Sequence, residues 1–269
     1  NNVVSDYNGL GYSGTNSGGS LYITSSIFRN NKGGLAPNTL DSELLPPERE
    51  TFIIGNLIEN NNNYNSPATN STYLSYGNGV VIAGGNNNII KNNVIVDHDL
   101  YGVILTASMD VNYWPAHGNR VEENLILSSR KADIAVSGVS NLANCFEGNY
   151  FNTSIPPGLQ ALNGCEKNII PLSADLSGLW STIARVIYAN TGDFYQDDWR
   201  TLPAPEKQEN MPIMQEIIDA NDNGQYELGF YQYLPSFRNS VKPAVNVYED
   251  YKYTLKDVQL PQDAIKYLN

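Results

Sequence analysis

The chain reads as an all-β solenoid, a stack of short coils, and three observations carry that reading. A phrase of one small polar residue, two apolar residues and a polar corner returns five times: Ser26-Ile27-Phe28, Asn56-Leu57-Ile58, Asn93-Val94-Ile95, Asn124-Leu125-Ile126 and Asn149-Tyr150-Phe151. A second Asn stands five residues ahead of the last three copies, at Asn88, Asn119 and Asn144. Short apolar segments starting at Gly79, Gly102 and Asp133 follow the corners.

The clearest coil spans residues 79–101. It runs Gly-Val-Val-Ile-Ala, a Gly-Gly-Asn-Asn turn, Asn88-Ile-Ile-Lys-Asn, Asn93-Val-Ile-Val and a polar corner. The next coil starts at Gly102, and the interval to Asp133 is longer because residues 106–118 are inserted. The segments are too brief for hairpins. Alternation places apolar residues inside and polar ones in solvent. Further insertions are read over 32–50 and 62–78, leaving the same corner of successive coils and so lying side by side.

Asn has a physical reason to recur. It tolerates the left-handed backbone of a sharp corner. In stacked coils its amide can also donate to one neighbour and accept from the other, as a ladder. Ser26, Asn56, Asn93, Asn124 and Asn149 are expected to form one stack, and Asn88, Asn119 and Asn144 a second.

The Asn-apolar-apolar phrases and the Gly-Val-x-Ile/Leu strands, over roughly residues 10–172, resemble the right-handed parallel β-helix of the pectin-lyase-like superfold. They are most similar to secreted bacterial proteins known only for a right-handed β-helix region. That resemblance implies a fold. The superfold hosts lyases, hydrolases, epimerases, adhesins and structural proteins, so it names no reaction.

Asn is concentrated in the first part, 29 in residues 1–174 against 7 in 175–269, which places a boundary near 172. Residues 1–172 are expected to be the β-helix with inserted loops, and 173–269 a C-terminal cap, Pro-rich strap and strand-like tail. The formal charge of −12 argues against nucleic acid and anionic lipid as partners. No apolar run is long enough for membrane insertion. The stack is already under way at Asn1, so a leader or further sequence is expected ahead of it. Cys145 and Cys165 lie about one coil apart and read either as a disulfide or as two buried thiols. The disulfide, the Asn richness and the scarcity of Lys favour an extracellular or cell-surface setting.

Beyond the boundary, residues 175–192 have helical spacing and would cap the open end. Residues 201–213 carry three prolines and read as a strap, 214–220 as a short helix, and 244–255 as an alternating, Tyr-rich strand. That strand would pack on its own coils or on another copy, giving head-to-tail self-association.

Candidate chemistry is sparse. Asp97-His98-Asp99 could tune a base or hold a metal. It faintly resembles the Asp-Pro-His-Asp of β-helical alginate epimerases, without the Pro. It also aligns with Asn60-Asn61-Asn62 and Ser128-Ser129-Arg130, where the coil merely turns. Asp219, Asn221 and Asn223 with Gly224 match the first half of a Ca2+ loop, and Glu227 falls at its ninth position. Phe230 stands where the bidentate acid belongs, so Ca2+ or a plain turn both fit, and no cofactor is required. Tyr64, Tyr73, Tyr76, Tyr113, Trp114 and His117 lie in the insertions. Their rings either pin the loops or form a polysaccharide-binding face. Two functions follow: a secreted, noncatalytic β-helix protein acting by binding or assembly, or a polysaccharide lyase or epimerase. The missing acid/base set favours the first.

Overall fold

A computed structural model describes residues 1–41, 46–66, 75–109, 111–137, 143–166 and 258–268. They all belong to one compact unit formed by Asn1–Gln196 and Asp257–Asn269. The second unit, Asp197–Lys256, lies outside the described residues, and so do the expected cap (175–192), strap, Ca2+ loop and strand 244–255.

Six coils follow one another. The first holds β1 (Val4–Asp6), β2 (Leu10–Thr15) and β3 (Gly18–Thr24). The second holds β4 (Ile27–Arg29), β5 (Gly33–Asn38) and β6 (Arg49–Ile54), and the third β7 (Leu57–Glu59), β8 (Val80–Ala83) and β9 (Ile89–Lys91). In the fourth, β10 (Val94–Val96) and β11 (Tyr101–Thr106) precede an inserted antiparallel hairpin, β12 (Ser108–Met109) with β13 (Tyr113–Trp114), and then β14 (Arg120–Glu122). The fifth has β15 (Leu125–Leu127), β16 (Ala132–Ser137) and β17 (Cys145–Glu147); the sixth has β18 (Tyr150–Phe151), β19 (Ser154–Ile155) and one helical turn, α1 (Leu159–Leu162). The first strand of every coil joins sheet A, the second sheet B and the third sheet C. Pairing within all three sheets is parallel, so the chain is a parallel β-solenoid.

Every coil turns at three corners, and each corner divides its work between two adjacent residues. Between sheets C and A the left-handed backbone falls on Ser25, Gly55, Asn92, Glu123 and Gly148. The ladder residues Ser26, Asn56, Asn93, Asn124 and Asn149 come immediately after, without positive φ. This corrects the expectation that one Asn both turns and ladders. A neighbour takes the strained φ, and the ladder side chain is free to point inward.

The inner positions form one core: Phe28, Ile58, Ile95 and Ile126 from sheet A, Leu35, Val80, Val103 and Ile134 from sheet B, and Ile23, Ile53, Ile90, Val121 and Phe146 from sheet C. Each fully buried Ile or Leu contributes about 1.5–3 kcal/mol relative to exposure. The outer positions depart from simple alternation. Leu57 and Val94 on sheet A, Val81 and Ile104 on sheet B, and Phe52 on sheet C are buried as well. On sheet A the cover is visible. Residues 258–268, including a 3-10 helix (Gln262–Tyr267), lie across its outer face, and Ala264 packs with Leu57, Val94 and Val96.

The insertions also differ from the expected arrangement. Residues 33–38 are β5, and the first insertion starts only after them. Gly33 and Gly34 look like loop residues, yet a Cβ on Gly34 would sit 2.0 Å from the Gly79 carbonyl oxygen. Glycine is needed there because coils approach closely. The same column continues: a Cβ on Gly79 would meet Gly102 O at 2.5 Å, and one on Gly102 would meet Asp133 O at 2.7 Å. The first insertion therefore leaves the B–C corner, together with the hairpin. The insertion over 62–78 leaves the A–B corner, away from both. Asp41 accepts from the Asn112 N–H at 2.7 Å and its Nδ2 at 2.6 Å, and Ser108 Oγ donates to Thr39 O at 2.6 Å.

Candidate functional site

The ladders account for the polar interior. On the C–A corner, Asn56 donates its N–H and Nδ2 to Asn93 Oδ1 at 2.9 and 3.0 Å. Asn93 does the same to Asn124, and Asn124 to Asn149, each at 2.9–3.0 Å. Ser26 joins through its N–H to Asn56 Oδ1, and Gln160 Oε1 ends the row by accepting from Asn149. Each Nδ2 also reaches the preceding coil, as Asn93 does to Ile53 O at 2.8 Å. On the B–C corner Thr51, Asn88, Asn119 and Asn144 form the second ladder.

That second ladder ends on a residue to which the sequence reading assigned no role. Asn119 and Asn144 send Nδ2 to main-chain carbonyls, but Asn88 sends its own to Glu48 Oε2 at 2.8 Å. Glu48 is fully buried, and it also accepts from Thr51 Oγ1 at 2.6 Å. Burial pushes its carboxyl up to about 7, against the Thr51 and Asn88 hydrogen bonds and the nearby Arg49.

A third row occupies the A–B corner. Asn31 donates to Asn61 Oδ1 at 2.9 Å, and Asn61 to Phe28 O. In the next coil the row position is His98. Its ring is buried, and Nε2–H donates to Ile58 O at 3.3 Å. Nδ1 has no partner. Burial lowers the imidazole pKa to about 4, overriding the Ile58 bond and the Asp99 charge. Asp97 takes the left-handed corner, as Asn30 and Asn60 do before it, and it is exposed. Asp99 faces outward on the flank. The three residues thus lie at an outer corner, in the core and on the surface, so their side chains are not gathered around one point.

Around Asp99 the surface carries a built cluster. Tyr76 OH donates to Asp99 Oδ2 at 2.7 Å, Arg130 Nη1 lies 3.3 Å from Asp99 Oδ1, and the Asp99 N–H donates to Asn62 Oδ1 at 2.6 Å. Tyr64 meets Tyr76 edge to face, with centroids 5.9 Å apart. Lys32 Nζ stands 5.3 Å from the Tyr64 ring centre, within cation–π distance. Burial lowers the Lys32 pKa. Tyr64 remains 61% exposed and the Arg130 side chain 77%, so both reach solvent.

Of the six insertion residues singled out, only Tyr64 and Tyr76 come together there. Tyr73 lies outside the described residues. Tyr113, Trp114 and His117 are on the B–C corner, where Trp114 Nε1 donates to Asp41 Oδ1 at 3.2 Å and the His117 N–H to Gly85 O. Asp133, a buried acid, closes the A–B corner of the fifth coil by accepting from the Ser129, Asn152 and Thr153 N–H groups. Cys145 and Cys165 are disulfide-bonded. Glu122 lies beside them, but with both sulfurs in the disulfide they offer no thiolate to a metal. A structural disulfide points to a non-reducing environment. Among the described residues no helix is long and apolar enough to cross a membrane. The chain matches no family model, no curated protein and no solved structure.

Proposed function

We propose that this chain is a secreted right-handed parallel β-helix of the pectin-lyase-like kind, acting as an extracellular scaffold that binds polysaccharide at the A–B corner. The observation that carries it is the cluster of Tyr64, Tyr76, Asn62, Asp99 and Arg130. An exposed aromatic ring offers a flat face to a pyranose. The amide, carboxylate and guanidinium around it supply donors and acceptors for hydroxyls. The cluster is held by short bonds within the corner, so little side-chain freedom is lost on binding. The separation of Asp97, His98 and Asp99 supports binding over a lyase or epimerase built on those three. The disulfide supports the extracellular setting.

Affinity electrophoresis of the protein through gels containing neutral, acidic and aminated polysaccharides tests this. At least one gel should retard the protein, and Tyr64→Ala should weaken that retardation at least tenfold. Equal retardation of the variant, or none in any gel, would overturn the assignment of this corner.

A further inference from the structure

The outer face of sheet A has two in-register rows. Val4, Ile27, Leu57, Val94, Leu125 and Tyr150 stack as one. Asp6, Arg29 and Glu59 begin the other, which continues as Val96 and Leu127. Residues 258–268 read both. Leu260, Ala264 and Tyr267 cover the apolar row. Asp263 Oδ2 lies 3.1 Å from Arg29 Nη1, while Lys266 Nζ and Tyr267 OH reach Glu59 Oε2 at 2.8 and 2.7 Å. A segment ordered this way fits in one register only.

The attachment is made by side chains. The segment forms no strand pair with the sheet. Its main chain meets the coils where the Gln259 N–H donates to Ser25 Oγ at 3.0 Å. Such a seat recognises the segment's sequence and not its covalent connection. Residues 167–257 separate the segment from the coils along the chain. The apolar row also runs past the segment at both ends, to Val4 and Tyr150, which are 58% and 67% exposed.

From this we infer that the outer face of sheet A is a docking site for the 258–268 segment of a second copy, with Arg29 and Glu59 setting its register. A segment docked on its own coils is favoured by the effective concentration that its covalent connection provides. The intramolecular form therefore dominates in dilute solution, and exchange shows when pairing within one chain is disabled while pairing between chains is intact.

Two full-length variants create that situation. Glu59→Lys keeps the segment and spoils the seat; Lys266→Glu keeps the seat and spoils the segment. Mixed one to one, reciprocal exchange matches both charge pairs. Light scattering should give the mass of one chain for each variant alone and of two for the mixture. The double variant, matched within itself, should again be a single chain. A mixture that stays at one-chain mass, with both variants retaining β-sheet circular dichroism, overturns the inference. A variant that dimerises alone also overturns it, since the contact would lie elsewhere. If either charge reversal unfolds the protein, Arg29→Asp paired with Asp263→Arg poses the same question at the other end of the seat.

Discussion

The C–A and A–B corners solve one problem with different chemistry. On the C–A corner four successive amides run unbroken from Asn56 to Asn149, and no insertion leaves it. On the A–B corner the row begins as Asn31 and Asn61 and then passes to His98 and Ser129, and this corner carries the insertion with Tyr64 and Tyr76. An amide satisfies a buried corner with two donors and an acceptor. His98 has a single ring N–H for the Ile58 carbonyl, and among the described residues its Nδ1 is unpaired. The uninterrupted corner carries stability; the interrupted one tolerates loops, and the exposed cluster is built there.

The largest expected effect lies on the C–A corner. Asn93→Ala removes the acceptor for two Asn56 donors and the donors to Ile53 O and Asn124 Oδ1. Leaving buried groups unsatisfied costs about 1–3 kcal/mol each, so a loss of about 4 kcal/mol is expected in chemical denaturation. A loss under about 1 kcal/mol would mean that the corner relaxes around the gap.

Next come two opposed pH dependences. His98 has a folded pKa of about 4 against 6.5 in the unfolded chain. Its contribution is full above pH 6.5 and is lost as pH falls through about 4. Glu48 has a folded pKa of about 7 against 4.5. Its contribution is full below pH 4.5 and is lost as pH rises through about 7. Each amounts to roughly 3 kcal/mol, since one pKa unit is about 1.36 kcal/mol. Denaturation midpoints across pH 3–8 should show Glu48→Gln abolishing the loss toward neutrality and His98→Asn the loss toward acid. An unchanged slope in either variant would remove that group as its source.

The smallest effect is expected at the surface cluster. Arg130→Ala breaks an ion pair with an exposed partner and should cost about 0.5 kcal/mol or less. Thermal melting should barely move, while retardation by polysaccharide falls. A large melting shift would make the cluster a structural brace instead.

The first two ladders are legible in sequence because Asn recurs at constant offset from an apolar pair. The third row is harder to see, since His98 breaks the identity of its residues while keeping their position. β5 reads as a loop because Gly-Gly-Leu-Ala-Pro lacks β-formers; its glycines answer to the next coil's carbonyls, which no local pattern records. Tyr64 and Tyr76 were legible as exposed aromatics. Their grouping apart from Tyr113 and Trp114 depends on which corner each insertion leaves. Glu48 stands in an insertion and shows no sign of burial. Residues 258–268 are too short for a period, and their role follows from outer rows on sheet A that simple alternation assigns to solvent.

The glycine column of Gly11, Gly34, Gly79 and Gly102 sets a rule for how such a stack can lengthen. Each of these residues gives way to the carbonyl of the following coil, and the column stops at Asp133. A duplicated coil placed ahead of the fifth must bring its own glycine at this position or push its neighbour away. A coil that has drifted to any other residue there can be copied only into the far end. The solenoid is modular in outline, but its units are not interchangeable, because four of its coils lack a side chain at this position.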